Sequence, residues 1–176
     1  MRMMKDSLPA DLKTERLTLT RPVMDHAPAI ARLANNKQVH RWMSRLPFPY
    51  SLEDARQFIE EFAVGGSEHC FALVRQEGEF IGIMGLHFVE GQAPELGYWL
   101  GEPYWGQGYA SEAGKAVIGA ARQAGFAVLR SRALTSNSRS RNVLRKLGFV
   151  EIGEGPDPAG ANSGQPATFM QLEFET

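Results

Sequence analysis

The sequence predicts an α+β fold in which a mixed, mostly antiparallel central sheet is flanked by helices. Strand-like alternation opens the chain, three strands then follow one another across short turns, and a glycine-rich turn leads from the third strand into a long helix. Consecutive antiparallel strands followed by a crossover helix are typical of such a sheet. The 176 residues suit a single domain over 1–176, with 1–13 as an N-terminal extension.

The first part of the domain is predicted to be a strand and two helices. Leu17 and Leu19 alternate with polar neighbours over 15–21, which indicates a half-buried strand. A helix is predicted from about residue 24 to residue 34, because small and apolar residues recur there at helical spacing. After an aromatic and proline-punctuated stretch, Ser51 is typical of the N-cap of a second helix, which ends before two glycines.

Three strands and the glycine-rich turn make up the middle of the chain. The strands are predicted over 71–75, 80–87 and 95–100, and a four-residue connection containing a glycine joins the first two. The turn leads into a helix whose buried stripe is predicted to be Ala110, Ala113, Gly114, Val117, Ile118 and Ala121. Gly125 is predicted to end this helix.

The last part is predicted to be a strand, a helix and two closing strands. The strand covers 127–134 and the helix 137–147, and the closing strands cover 150–153 and 168–174. Between the closing strands, 154–167 is rich in Gly, Pro, Asp and Asn, which indicates a mobile loop.

The composition excludes several classes of partner. The 19 basic and 20 acidic residues give a net charge of −1, whereas proteins held by many phosphates of nucleic acid are usually strongly basic. Cys70 is the single cysteine, and the four histidines lack metal-ligand spacing, so neither a disulfide framework nor a metal site is expected. No stretch approaches the roughly 20 apolar residues that span a bilayer. We therefore expect a cytoplasmic protein without nucleic-acid, membrane or metal partners.

The glycine-rich turn has one well-understood chemical use. Small residues let the backbone approach a ligand, and the first N–H groups of the following helix then point at it, so a pyrophosphate fits. A tight turn without a ligand explains the glycines equally well. A P-loop requires Gly-Lys-Ser/Thr, which is absent, and the dinucleotide fingerprint fails at its third glycine, where Ser111 stands.

The helix over 137–147 carries a second group of polar residues. Asn137 and Ser140 have the spacing of a helix cap, and capping alone explains both. Four basic side chains on this helix suit either a solvated face or phosphate contacts: Arg139, Arg141, Arg145 and Lys146.

Taken together, the two elements resemble the GNAT superfamily of acetyl-CoA-dependent acetyltransferases. The run Trp-Gly-Gln-Gly-Tyr-Ala at 105–110 is similar to its pyrophosphate motif, and Asn-x-x-Ser at 137–140, followed by Leu-Gly-Phe at 147–149, is similar to its second motif. Thr-Glu-Arg-Leu at 14–17 and Glu-Leu-Gly-Tyr-Trp-Leu at 95–100 resemble the branch of RimJ- and RimL-like N-terminal acetyltransferases of ribosomal proteins. The resemblance covers about residues 14–174.

The resemblance implies a set of binding residues. Backbone groups at Leu100 would pair with pantetheine as an added strand does, and Asn137 and Asn142 would touch the pantetheine arm or the edge of the acceptor. The residues implied around the pyrophosphate are Gly106, Gln107, Gly108, Tyr109, Ala110 and Ser111. No metal is implied, and a homodimer is an expectation from the family alone.

Two positions depart from the pattern of the superfamily. Trp105 stands where many members have Arg or Gln, although Trp is common in the RimJ- and RimL-like branch. Leu144 stands where many members have a tyrosine that protonates the leaving thiolate. Since leucine has no proton to donate, Ser140 or water is the expected general acid.

Acyl transfer to an amine also requires a base and an acceptor site. Glu95 is the expected base, acting through a water, because it lies on the strand that leads to the cofactor turn. Glu112 is a poorer candidate, since the first turn of a helix favours acidic residues for dipole reasons alone. Trp42, Phe48 and Tyr50 are expected to line the acceptor site, although ordinary packing explains them as well.

The sequence leaves the acceptor and two other functions open. A peptide α-amine is the leading acceptor, and small amines such as polyamines, amino acids or antibiotics compete with it. A sensor that binds acyl-CoA without turnover and an enzyme that uses NAD or ATP are the alternatives from other classes.

Overall fold

The structure is a computed structural model that describes residues 2–63, 65–158 and 160–175. In these ranges one sheet contains eight strands, ordered β1-β2-β3-β4-β5-β6-β8-β7. The strands are β1 (Leu12–Lys13), β2 (Leu17–Thr20), β3 (Glu68–Arg75), β4 (Phe80–His87), β5 (Glu95–Leu100), β6 (Val128–Leu134), β7 (Val150–Pro156) and β8 (Pro166–Glu173). The helices are α1 (Arg2–Asp6), α2 (Ala27–Ala34), α3 (Lys37–His40), α4 (Leu52–Gln57), α5 (Tyr109–Gln123) and α6 (Ser138–Lys146).

The pairing of the strands is mixed, as the sequence predicts. Strands β5 and β6 form a parallel pair, and the other neighbouring strands pair in antiparallel fashion. A parallel pair needs a long crossover connection, and here α5 provides it. The predicted α+β fold is therefore confirmed.

Both faces of the sheet are covered near its centre. Every residue of β4 except the last is buried, which happens in a strand only when both faces are packed. Helix α2 packs against α4 and β4, while α5 packs against β1, β2 and β4. The buried stripe of α5 differs from the prediction at three positions, because Tyr109 and Ala120 are also buried and Ile118 is only half-buried.

Several elements add to the prediction, and one predicted boundary is wrong. The N-terminal extension contains α1 and β1, and β1 pairs with β2 at the edge of the sheet. The stretch after α2 contains the short helix α3. Strand β7 continues to Pro156, because Gly155 and Pro156 pair with β8 despite their turn-like composition. The remaining loop, 157–165, is hydrogen-bonded to the segment after α3: Ala161 N–H donates to the Ser44 carbonyl at 2.9 Å.

Candidate functional site

Strands β5 and β6 pair only at the start of β5. Both strands are described throughout, and Glu95 and Leu96 are the residues of β5 in register with β6. Ser131 Oγ donates to the Leu96 carbonyl at 2.8 Å, at the last position where the two strands pair. Beyond it β5 runs on to Leu100 while β6 diverges, so the two strands enclose a gap.

The open edge of β5 carries backbone groups of Tyr98 and Leu100. Gly101 N–H donates to the Ile81 carbonyl of β4 at 2.8 Å. Because successive residues of a strand direct their polar groups to opposite sides, the groups of Leu100 and Tyr98 face the gap. Trp105 Nε1 donates to the Leu100 carbonyl at 2.8 Å. The sequence expectation for Leu100 therefore needs correction: its carbonyl is already bonded, and only its N–H remains for a ligand.

The turn between β5 and α5 presents further N–H groups. Gly106 and Gly108 have φ angles of 72° and 82°, in the left-handed region that favours glycine. Glu112 N–H donates to the Gly108 carbonyl at 3.0 Å, which is the first hydrogen bond of the helix. The N–H groups of residues 109–111 therefore lack intrahelical acceptors, and the helix dipole makes this end of α5 suitable for an anion.

A cavity of 780 Å³ joins this turn to the open edge of β5. Most of the predicted cofactor residues line it: Leu100, Gly106, Gly108, Tyr109, Ala110, Ser111, Asn137 and Asn142. The structure does not place Gln107 there. Its Nε2 donates to the Pro103 carbonyl at 3.0 Å, on the outer side of the turn.

The predicted acid Ser140 lies in the same cavity and has a partner that the sequence did not suggest. Tyr98 of β5 places its hydroxyl 3.0 Å from Ser140 Oγ. Burial raises the pKa of Tyr98, and this effect outweighs the hydrogen bond to Ser140, so the phenol keeps its proton. A Tyr98 donor leaves the Ser140 proton free to point into the cavity.

The predicted base Glu95 lies at the opposite end of the cavity, beside Arg132. Arg132 Nε is 3.6 Å from Glu95 Oε1 and 3.7 Å from Asp157 Oδ1. Asp157 is buried and accepts a hydrogen bond from Ser44 Oγ at 2.6 Å. The guanidinium thus lies between two carboxylates. The sequence analysis missed Arg132, Asp157 and Ser44, because no local motif connects a strand with two distant loops.

Comparison with known proteins identifies the family. A sequence profile described as "Acetyltransferase (GNAT) domain" matches residues 16–150. The chain belongs to the GNAT family. A Bacillus licheniformis protein named uncharacterized N-acetyltransferase p20 is 30% identical over 152 residues, which are 81% of this chain and 83% of that protein. The chain is therefore an acetyltransferase that uses acetyl-CoA.

Solved structures share the GNAT fold at low sequence identity. The ribosomal L7/L12 α-N-protein acetyltransferase RimL, solved with coenzyme A, has a TM-score of 0.81 at 19% identity, covering 95% of this chain and 97% of RimL. Spermidine N-acetyltransferase from Vibrio cholerae, solved with coenzyme A and spermine, has a TM-score of 0.76 at 16% identity, covering 91% and 96%. Relatives of both acceptor types thus share this GNAT fold.

Two asparagines and a leucine of the second GNAT motif have clear positions. Asn137 Oδ1 accepts from Ser140 N–H at 3.2 Å, so it caps α6 while it also lines the cavity. Asn142 lines the cavity and accepts from Arg145 Nη1 at 3.1 Å. Leu144 is completely buried in the core, so its position offers no side chain to a leaving group in this GNAT chain.

The structure brings one of the three predicted acceptor residues to the cavity of this GNAT domain. Trp42 lines it, with the Arg41 guanidinium 4.5 Å from its ring. Phe48 and Tyr50 do not line it. Tyr50 packs in the core, where burial raises its pKa to about 12, and the Phe48 ring lies 5.3 Å from that of His40 at the surface.

The four basic residues of α6, for which either a solvated face or phosphate contacts were expected, fall into two pairs. Arg141 and Arg145 both bind Glu151, and their hydrogen bonds lower the pKa of that carboxyl. Arg145 is exposed and belongs to a solvated face, whereas Arg141 is half-buried and also donates to the Thr135 carbonyl at 3.0 Å. Arg139 and Lys146 line the cavity, and the Arg139 guanidinium lies 4.8 Å from the Trp105 ring.

Other reactive groups of the GNAT domain lie away from this cavity. Cys70 is buried in the core, and burial raises the pKa of its thiol to about 12. Among residues 2–63, 65–158 and 160–175, no three His, Cys, Asp or Glu side chains cluster as a metal site would require. The helices within these ranges are too short or too polar to cross a bilayer.

We predict that Gly108→Ala weakens CoA binding, whereas Gly78→Ala does not. Both glycines have φ near 80°, so alanine should lower the free energy of unfolding by roughly 1–2 kcal/mol at either position. A Cβ at Gly108 also lies 3.3 Å from Arg16 Nη2, so the Arg16 guanidinium must move by a few tenths of an ångström and its hydrogen bond to the Gln107 carbonyl is disturbed. Calorimetry should show at least tenfold weaker CoA binding for Gly108→Ala.

Gly78 is the matched control, because it lies in the β3–β4 connection and a Cβ there meets nothing within 4 Å. If the two variants bind CoA equally well, the assignment of the turn to the pyrophosphate is wrong.

Proposed function

We propose that this GNAT enzyme acetylates the α-amine at the N-terminus of a peptide or protein, with Glu95 as general base and Ser140 as general acid. One observation carries the proposal. A single cavity contains the anion-binding turn, the open edge of β5, the hydroxyl of Ser140 and the carboxylate of Glu95. These are the groups that acetyl transfer from a CoA thioester to an amine requires.

The residues of the cavity fit acetyl-CoA, which supplies the acetyl group as an activated thioester. The N–H groups of residues 109–111 would hold the pyrophosphate. The N–H and C=O of Tyr98 and the N–H of Leu100 would hydrogen-bond to the amide groups of pantetheine, as an added strand does. Of these groups, the N–H closest to the thioester carbonyl would polarise it in the manner of an oxyanion hole.

Glu95 would accept the proton that the amine loses on attack, through a water. The nitrogen forms the new amide bond only when its lone pair is free, so a carboxylate near the acceptor improves the rate. The contact with Arg132 restricts the orientations of the Glu95 side chain. Buried Asp157 in turn holds Arg132, so Arg132 and Asp157 together would fix the position of the Glu95 carboxylate.

Ser140 would supply a proton to the thiolate when the carbon–sulfur bond breaks. With Tyr98 as donor to Ser140 Oγ, the Ser140 proton is directed away from Tyr98 and into the cavity. Solvent would return a proton to Ser140 in the same step, because a serine alkoxide is too basic to persist, and Tyr98 would stay protonated throughout. One proton therefore leaves the amine and one joins the sulfur.

Charge and acidity support a peptide α-amine as acceptor. Glu95 and Asp157 flank the Arg132 guanidinium, so two carboxylates stand at the end of the cavity where a cationic amine would enter. An α-amine has a pKa of about 7.7–8.0, compared with about 10.4 for lysine, so more of it is the neutral nucleophile near pH 7. The likeness to RimL agrees with this acceptor class.

A polyamine is the second candidate, because the same carboxylates would attract it and the spermidine acetyltransferase shares the fold. To separate the two, we would incubate the enzyme and acetyl-CoA with peptides of different first residues, N-terminally blocked peptides with one lysine, and polyamines. Mass spectrometry should find an acetyl group on the free α-amines and little on the blocked peptides. Acetylation of the polyamines alone would refute the peptide assignment.

We predict that Glu95→Gln lowers kcat by about 10²–10⁴-fold, the range that general bases contribute. The affinity for CoA should stay within twofold, because Glu95 lies at the acceptor end of the cavity. Glu77→Gln on the exposed β3–β4 connection is the control and should leave both values unchanged. Wild-type kcat in Glu95→Gln would remove Glu95 as the base.

We predict that Ser140→Ala and Tyr98→Phe lower kcat through the same step. If Tyr98 acts only by orienting Ser140, the double variant should be no slower than Ser140→Ala alone, and Tyr98→Phe should cause the smaller loss. Steady-state kinetics of the three variants test this. Losses that multiply in the double variant would show that Tyr98 acts independently of Ser140.

A further inference from the structure

A carboxylate stands in the first turn of α5, directly beside the N–H groups assigned to the pyrophosphate. Two residues from the start of the chain hold Glu112 through three donor groups. Its Oε2 accepts from Thr14 Oγ1 at 2.5 Å and from Arg16 N–H at 2.9 Å, and its Oε1 accepts from Arg16 Nε at 2.7 Å. Glu112 and Arg16 are 96 residues apart in the sequence, so the contact depends on the fold alone.

The charge of Glu112 opposes the proposed use of this helix end. Burial alone would raise the pKa of the Glu112 carboxyl, but the hydrogen bonds from Thr14 and Arg16 outweigh it, and the pKa is lowered. The carboxylate is therefore ionised near neutral pH. A negative charge in the first turn repels a pyrophosphate unless a cation cancels it, and the Arg16 guanidinium is in contact with it.

Arg16 also fixes the backbone of the turn itself. Its Nη1 donates to the Gln107 carbonyl at 2.9 Å, and its guanidinium lies 4.3 Å from the Tyr109 ring. In a trans peptide the C=O and the next N–H point in opposite directions. The Gly108 N–H is consequently directed away from Arg16. This agrees with the lining of the cavity, which includes Gly106, Gly108 and Tyr109 but not Gln107.

We propose that Arg16 is a positioning residue of the CoA site, which orients the peptide between Gln107 and Gly108 and cancels the charge of Glu112. The proposal rests on the assignment of the turn to the pyrophosphate, and it adds a residue that directly precedes β2 to the residues from Leu100 to Asn142 predicted to bind CoA. Arg16 lies far from the reacting atoms, so it acts on binding of acetyl-CoA rather than on the chemical step.

The test is a double-mutant cycle of Arg16 and Glu112. Calorimetry measures the affinity for CoA, and steady-state kinetics measure kcat and both KM values. Arg16→Gln should weaken CoA binding and raise the KM for acetyl-CoA at least tenfold, with kcat at saturation and the KM for the acceptor within twofold. Arg16→Lys keeps the charge but cannot reach both carbonyl and carboxylate, so it should recover part of the loss. Arg21→Gln is the matched control, because Arg21 is exposed and directly follows β2 as Arg16 directly precedes it, and this variant should bind CoA normally.

Glu112→Gln separates charge from a merely structural tie between β2 and α5. It removes the charge and keeps one acceptor oxygen, which can still accept from Thr14 Oγ1 and the Arg16 N–H, while Arg16 Nη1 keeps its own bond to the Gln107 carbonyl. CoA should therefore bind as tightly as to wild type or more tightly. The double variant Arg16→Gln/Glu112→Gln should bind CoA more tightly than Arg16→Gln. If Glu112→Gln weakens CoA binding as much as Arg16→Gln does, the pair is structural and the proposal is overturned.

Two further outcomes are distinguishable. If Gly108→Ala weakens CoA binding and Arg16→Gln does not, the role of Arg16 is wrong while the assignment of the turn stands. If neither affects CoA binding, the turn does not hold the pyrophosphate and both assignments fail. Melting temperatures of all variants identify any loss of CoA affinity that follows from unfolding. If Arg16→Gln is unfolded, the CoA affinities of Arg16→Lys and Glu112→Gln test the proposal instead.

Discussion

The parting of β5 and β6 is the constraint on which the rest of the site depends. A parallel pair that ends after two residues would normally leave unpaired backbone groups in the core, at a cost in free energy. Here side chains take the place of the missing strand partner for two of these backbone groups. Ser131 satisfies the last paired carbonyl and Trp105 satisfies that of Leu100, so the groups left along the gap are those that face the cavity. Helices α5 and α6 then place the turn and Ser140 around the opening.

Most of the fold could be predicted because its signals are local. Alternation of apolar residues marked the strands, and Ser51 and Asn137 both cap helices as their spacing indicated. The glycine turn was equally readable, since left-handed angles at Gly106 and Gly108 leave few alternatives to glycine. The end of β7 was not predicted, because proline usually marks a turn. Pro156 nevertheless pairs at the end of this edge strand, where its missing N–H costs little.

The candidate site was less predictable because its contacts join distant segments. Ser140 could be named from its motif, yet its partner Tyr98 lies 42 residues away and carries an ordinary strand pattern. The side of a turn that a residue faces is likewise set by tertiary contacts, which is why Gln107 lies outside the cavity. The aromatic residues Phe48 and Tyr50 have a composition typical of binding sites, but packing decided their places.

The hydrogen bonds between the two acceptor-side loops bear on how such an enzyme changes during evolution. The segment after α3 and the loop 157–165 hold each other through Ser44, Asp157 and Ala161. The glycine-rich turn takes its own support from Arg16 and Glu112. Substitutions, insertions or deletions in the two loops can therefore remodel the pocket for a new amine while the donor half is inherited intact. This division of the chain explains how enzymes that share one fold can come to acetylate different amines.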